Sequence, residues 1–190
     1  MTEVSFSCGC GQVEGSVKTV PRGGLHLVCH CDSCRAGALY CGAELPRGTP
    51  VDLYLTPPHH VRVTKGLGNL APFAFSPRGI LRWKTSCCGV QMFSSQPNPK
   101  NAFMSVRTDR LSDPDKVGPI RTWSFIPGAK GKNLHKGKRA LVGLIFKAAR
   151  ARMSGRWRQT PLYTSYNKKP IAEITLVPRE TKSALLTAET

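Results

Sequence analysis

The sequence predicts a mainly β protein that carries a basic C-terminal helix, and three features support that expectation. Short stretches of alternating apolar and polar residues, cut by glycine and proline turns, fill the first two-thirds of the chain. One convincing amphipathic run follows at about Lys136–Met153. All but one of the eight cysteines fall into three tight groups, dense enough to read as metal ligands that clasp separate turns together.

At 190 residues the chain can bury one good core with a small appendage. Residues 1–120 are therefore read as a zinc-binding β domain, and residues 121–190 as a basic extension whose helix packs on it. Within the first part, Val4–Ser7 and Val13–Val17 alternate at period two around Cys8-Gly9-Cys10-Gly11, which suits a hairpin-like knuckle. Leu25–Val28 is the next strand and leads into a loop of three thiols. Asp32 to Leu39 then has room for one or two helical turns. Further strands are expected at Val51–Leu55, His60–Thr64, Phe73–Ser76, Ile80–Lys84, Gln91–Ser94 and Ala102–Arg107. Pro57-Pro58, Pro77-Arg78-Gly79 and Pro97-Asn98-Pro99 punctuate them. The helix presents Leu141, Leu144, Ile145, Ala148 and Ala149 at helical spacing as a docking stripe. A last strand is expected over Ile171–Val177, and the final dozen residues read as frayed.

Composition narrows the partners. Net charge is +17, and from Lys116 to Ala172 there is neither Asp nor Glu. Such a surface suits an anionic partner: nucleic acid, a phosphate-rich surface or an acidic small molecule. Trp123, Phe125, Phe146, Trp157, Tyr163 and Tyr166 are only thinly interleaved with the basic residues, which permits base stacking without signalling it. No apolar run approaches the roughly 20 residues of a membrane span. The N-terminus shows no secretory pattern, so a cytoplasmic location is expected.

In a reducing compartment clustered thiols bind metal or do chemistry rather than form disulfides. Cys8 and Cys10 offer two ligands from one turn, and Cys87 and Cys88 are the other unclaimed cluster. Together they predict a structural zinc closed over a long loop, with the share of Cys87 and of Cys88 left open. Cys29, Cys31 and Cys34 form a second set of three, which leaves one coordination position for water or a substrate sulfur. The competing arrangement is a second structural zinc whose fourth ligand is Cys41, His26 or His30. His30, set between two ligands, is the candidate for a catalytic proton relay, and Arg35 for binding a substrate carboxylate. His59-His60 has no thiol neighbours and is read as surface.

Cys8-Gly-Cys10-Gly11, Cys29-His30-Cys31-Asp-Ser-Cys34-Arg35 and Cys87-Cys88-Gly89 resemble, in order and rough spacing, the motifs of the glutathione-dependent formaldehyde-activating enzyme and centromere protein V family. The match runs from residue 3 to about residue 110. In the late motif Thr85 stands where that family has its first cysteine, and the surrounding residues look like a bacterial branch of the superfamily. The resemblance implies a zinc-clasped, mostly antiparallel β-tent, with one closed zinc site from the outer motifs and one open three-cysteine site. It also implies carbon–sulfur lyase chemistry on glutathione, a small anionic thiol, and formaldehyde. The alternative class is a nucleic-acid-binding module whose metals are only structural.

Overall fold

The structure, a computed structural model, describes residues 2–19, 23–164 and 168–188. It is mainly β, as expected, with two sheets and three α-helices among these residues. Strands β1 (Thr2–Ser7), β2 (Glu14–Thr19) and β5 (Val61–Lys65) form a small sheet in the order β1-β2-β5. The larger sheet uses β3 (Leu25–Cys29), β4 (Val51–Thr56), β6 (Leu70–Ala74), β7 (Leu81–Thr85), β8 (Gln91–Ser95) and β9 (Met104–Arg107). It is extended by β10 (Thr122–Pro127), β11 (Asn133–Lys136) and β12 (Thr175–Leu176), giving the order β11-β10-β3-β4-β9-β8-β7-β6-β12. Pairing is antiparallel except for β10 on β3 and β12 on β6.

Strand register assigns each face of this sheet a task, because residues directly opposite on neighbouring strands point to the same side. Trp83, Phe93, Val106 and Tyr54 are successive partners across four strands. All are buried and face the small sheet, where Phe6 meets Phe93 edge to face at 5.2 Å. The adjacent row, Arg82, Ser94, Ser105, Leu55 and Leu25, faces the other way. Helix α1 (Asp32–Tyr40) and helix α2 (Lys138–Met153) lie over that second face. A large apolar row thus builds the core, while a mixed row is left to line a site.

Helix α2 docks with a narrower stripe than its sequence suggests. Leu144 and Ala148 are buried, and Leu141 packs in part against Leu25, Leu27 and Leu53. Ile145, however, is 56% exposed and Ala149 faces solvent, while Ala151 turns inward beside Trp157. The helix meets the sheet one ridge away from the centre of its apolar arc.

Other differences have local causes. Strand β6 begins earlier than expected and runs through Pro72, which a strand near the sheet edge tolerates because β12 covers only Phe73 and Ala74. Only Thr175–Leu176 of the expected final strand pairs, and Pro178 ends it by opening helix α3 (Arg179–Thr187) where fraying was expected. That helix has no buried residue and no apolar stripe to announce it, yet it packs on α1. Strands β10 and β11 were not expected and tie residues 122–136 to the sheet. His59 and His60 are half-buried, not surface, with rings 4.5 Å apart in a 3-10 turn over Pro58–His60. No helix among the described residues is long and apolar enough to cross a membrane.

Two expectations follow. Leu144→Ala should cost about 2–4 kcal/mol of stability by urea unfolding, and Ile145→Ala no more than about 0.5 kcal/mol. Burial, helped by neighbouring His59, pushes the His60 imidazole down to about 4. The unfolded chain takes that proton near about 6.5, so stability is present above that pH and is lost as the pH falls from about 6.5 to about 4. Unfolding curves at pH 7 and pH 5 should therefore differ, and His60→Gln should narrow the difference.

Candidate metal centre

Two hairpin turns from different sheets meet at the first site. Between β1 and β2 the chain curls tightly: the Cys8 N–H donates to the Val13 carbonyl at 2.9 Å, and the Gly11 N–H to the Cys8 carbonyl at 3.1 Å. Between β7 and β8 the Thr85 N–H donates to Val90 and the Gly89 N–H to Thr85, each at 3.0 Å. These curls aim Cys8, Cys10, Cys87 and Cys88 at one point, with all four sulfurs within 4.8 Å of one another. The Cys8–Cys10, Cys8–Cys87 and Cys87–Cys88 sulfur distances are 3.6, 3.8 and 4.0 Å. Four thiolates about 2.3 Å from a central ion would stand about 3.8 Å apart, so the donor set fits a tetrahedral thiolate metal. Both cysteines of the adjacent pair belong to the cluster. The Thr85 hydroxyl lies 3.3 Å from the Cys88 sulfur, so it supports a ligand from the place where a C-x-x-C motif would have supplied one.

Burial pushes the Cys88 thiol up, but the Thr85 hydroxyl and the N–H groups of Cys10 and Val90 outweigh it and bring Cys88 down to about 6. Cys8 is likewise lowered: burial opposes its ionisation, while the Val13 and Cys10 N–H groups favour it. Fixed hydrogen-bond donors thus favour the thiolate form of two of the four sulfurs.

The second site forms where β3 ends and α1 begins. Cys29 is the last residue of β3, Cys31 is the N-cap of α1, and Cys34 lies in its first turn. The Cys31 sulfur accepts the Cys34 N–H at 3.3 Å and stands 3.4 Å from the Cys29 sulfur. A cysteine acting as helix cap presents its sulfur to the positive end of the helix, which favours a thiolate. Hydrogen bonds from the Cys29 and Cys34 thiols hold Cys31 down to about 2, and bonds among the same three sulfurs push Cys29 up to about 11 and Cys34 well above the ordinary thiol range. The three sulfurs lie within 4.8 Å of one another, and no fourth Cys, His, Asp or Glu joins them among the described residues. Cys41 lines a different, smaller cavity with Gln91 and Arg107, and His26 is engaged by Asp52 at 2.7 Å and the Gly118 carbonyl at 2.6 Å. This set therefore also fits a metal, but as three protein ligands facing a space.

That space is a cavity of about 440 Å³ whose wall includes Cys29, Cys31 and Cys34. Its floor is the mixed row of the large sheet. Arg82, the one charged residue that lines it, went unnoticed in the sequence. It alternates with core residue Trp83 and so reads as an outward-facing strand residue, yet α1 covers that face. The residue is 3% exposed, and its guanidinium donates to the Ser33 hydroxyl at 2.8 Å and to the Ile80 carbonyl at 3.2 Å and pairs with no carboxylate among the described residues. Gly37 of α1 makes room for it, since a Cβ there would sit 2.4 Å from the Arg82 Cδ. A buried cation without an acidic partner favours a negative neighbour, and Arg82 accordingly favours ionisation of the nearby Cys31.

The other two expected site residues lie elsewhere. Arg35 is buried, donates to the Thr49 carbonyl and, with His30, lines a separate cavity of about 280 Å³ together with Asp32 and Arg47. The backbone N–H of His30 donates to the Ser124 carbonyl at 2.9 Å, which ties the thiol loop to β10. Of the aromatics among the basic residues, Trp157 and Tyr163 are buried, Phe146 is 72% exposed, and Tyr166 lies outside the described residues.

Arg82→Leu should weaken metal retention at the three-thiol site about 10–100-fold in chelator competition and leave the four-thiol site unchanged. Gly37→Ala should act in the same direction by displacing the guanidinium.

The model of a family described as "Family of unknown function (DUF6151)" matches residues 1–175. No curated protein matches the chain. Among solved structures, the crystal structure of a Rhodobacter sphaeroides protein is 24% identical, covering 63% of this chain and 98% of that one, with a TM-score of 0.45.

Proposed function

The chain belongs to that family of unknown function, and we propose that within it this protein is a two-zinc carbon–sulfur lyase acting on a thiol and an aldehyde, or on their adduct. The observation that carries the proposal is the three-thiol set opening on a cavity with no fourth protein ligand beside it among the described residues. Zinc is the ordinary redox-silent occupant of such thiolate sites, as the resemblance to the formaldehyde-activating family also implies. The four-thiol set is structural and closed.

Zinc held by Cys29, Cys31 and Cys34 would keep a substrate sulfur deprotonated at neutral pH and place it in the cavity. The chain's own residues do the rest. Arg82 balances the negative charge gathered by the thiolates. The α1 N-terminus holds Cys31 in place, and the β10 backbone fixes the loop through the N–H of His30. In the forward direction the substrate sulfur bonds to the carbonyl carbon, and the thiol proton ends on the former carbonyl oxygen. In reverse that carbon–sulfur bond breaks and the proton returns. Ser124, the partner of Cys29 across β10 and β3, lines the cavity beside the thiols and would pass the proton, a role the sequence suggested for His30.

Protein purified without added metal or chelator should contain about two zinc ions per chain by elemental analysis. Cys31→Ser should lose one of them and at least about 100-fold of the thiol–aldehyde activity, followed by loss of free thiol. A Cys31→Ser protein with full activity would sink the reading.

A further inference from the structure

Resting on that reading, we infer that the thiol taken at the three-cysteine site has an apolar body, aliphatic or aromatic, and is not a multiply charged peptide thiol such as glutathione. The cavity floor carries the argument. On β3 and β4, Leu27, Leu53 and Leu55 present their side chains on the same face as Cys29, two-residue periodicity placing the sulfur at the end of a leucine surface. Leu141 of α2 and Phe125 of β10 close over it. The uncharged polar lining is Ser33 and Ser124 beside the cysteines, with Ser94, Ser95, Gln96 and Ser105 farther across the cavity. A ligand whose sulfur sits at the cysteines therefore meets two hydroxyls there and lays the rest of its body on leucine.

Charge makes the case from the other side. Glutathione brings two carboxylates and an ammonium group. Among the described residues the cavity wall has no Asp or Glu to receive the ammonium, and neither Lys nor His. Its single cation, Arg82, is already engaged by the Ser33 hydroxyl and the Ile80 carbonyl and lies over the Phe75 ring. Charged groups moved from water into such a space go uncompensated, and the ligand that avoids this carries none there. The basic surface attracts anions to the protein without lining the cavity.

Phe125 shapes the entrance. Its φ of 58° lies in the left-handed region, where a bulky side chain is strained, and β10 shifts register against β11 at this point. The irregularity leaves the Phe125 ring 41% exposed at the rim of the cavity and 4.9 Å from the His135 ring. Phe125→Gly removes both the ring and the strain, so it tests the rim without endangering the fold.

Cobalt(II) substitution reports the site directly, because thiolate-to-cobalt charge-transfer bands change when an added thiol coordinates. Benzyl mercaptan, 2-mercaptoethanol and glutathione would be titrated into the cobalt-loaded full chain. We expect benzyl mercaptan to bind at least about tenfold more tightly than either of the others. Phe125→Gly and Leu141→Asn should each lower its affinity several-fold and leave that of glutathione unchanged. Glutathione or 2-mercaptoethanol binding as tightly as benzyl mercaptan would overturn the inference about the apolar body and leave the open metal site standing. A cobalt-loaded three-cysteine site whose bands respond to no thiol would overturn both.

Discussion

The meeting of two hairpin turns at one cluster of sulfurs is the constraint on which the rest of the structure depends. One turn belongs to the small sheet and the other to the large one, and Cys8 and Cys87 touch across 79 residues of sequence. Closing so long a loop is costly in chain entropy, and an ion held by four thiolates is a strong way to offset it. The same closure fixes the angle at which the small sheet covers Trp83, Phe93 and Val106. Once one face of the large sheet is committed to that core, the alternate residues of the same strands have to face the helices. Arg82, Ser94 and Ser105 reach the cavity for this reason.

Charge and helix geometry then meet at a single turn. Three thiols in six residues would repel one another as thiolates, and two features reduce that repulsion: the N-terminus of α1 beneath Cys31, and the guanidinium of Arg82 alongside. Both pass through α1. The helix supplies the capped N–H groups, and at Gly37 it is thin enough for the arginine side chain to pass. The helix is thus as much a part of the metal centre as the ligands are.

Much of this was legible in the sequence, and what was missed shares a cause. Cysteine groups are local signals, and both predicted sets assemble, with Cys87 and Cys88 in the same cluster. Alternation located β1, β2, β3, β4 and β8 closely. It could not reveal Arg82, because alternation tells which residues share a face and not what covers that face. Alternation and spacing likewise could not tell that Arg35 lines a cavity separate from the thiols and donates to the Thr49 carbonyl. Thr122–Pro127 does alternate, but its partner is β3, paired in parallel from far along the chain, and no short-range pattern announces that. Helix α2 was found by its period, while the ridge that docks was decided by the sheet beneath it.

The position of β10 has a consequence for how such a protein can change. Every thiol in both metal sets lies at or before Cys88, whereas Phe125 and Leu141, which form the rim and cover of the cavity, come later in the chain. The thiol sets and the leucine floor are therefore inherited from one stretch of sequence, and the rim and cover of the cavity from another. Replacing residues 122–153 would refit the mouth of the chamber around unaltered cysteine turns, much as a new die fits an existing press. Diversity among relatives should accumulate in that stretch, while the cysteine turns stay as they are.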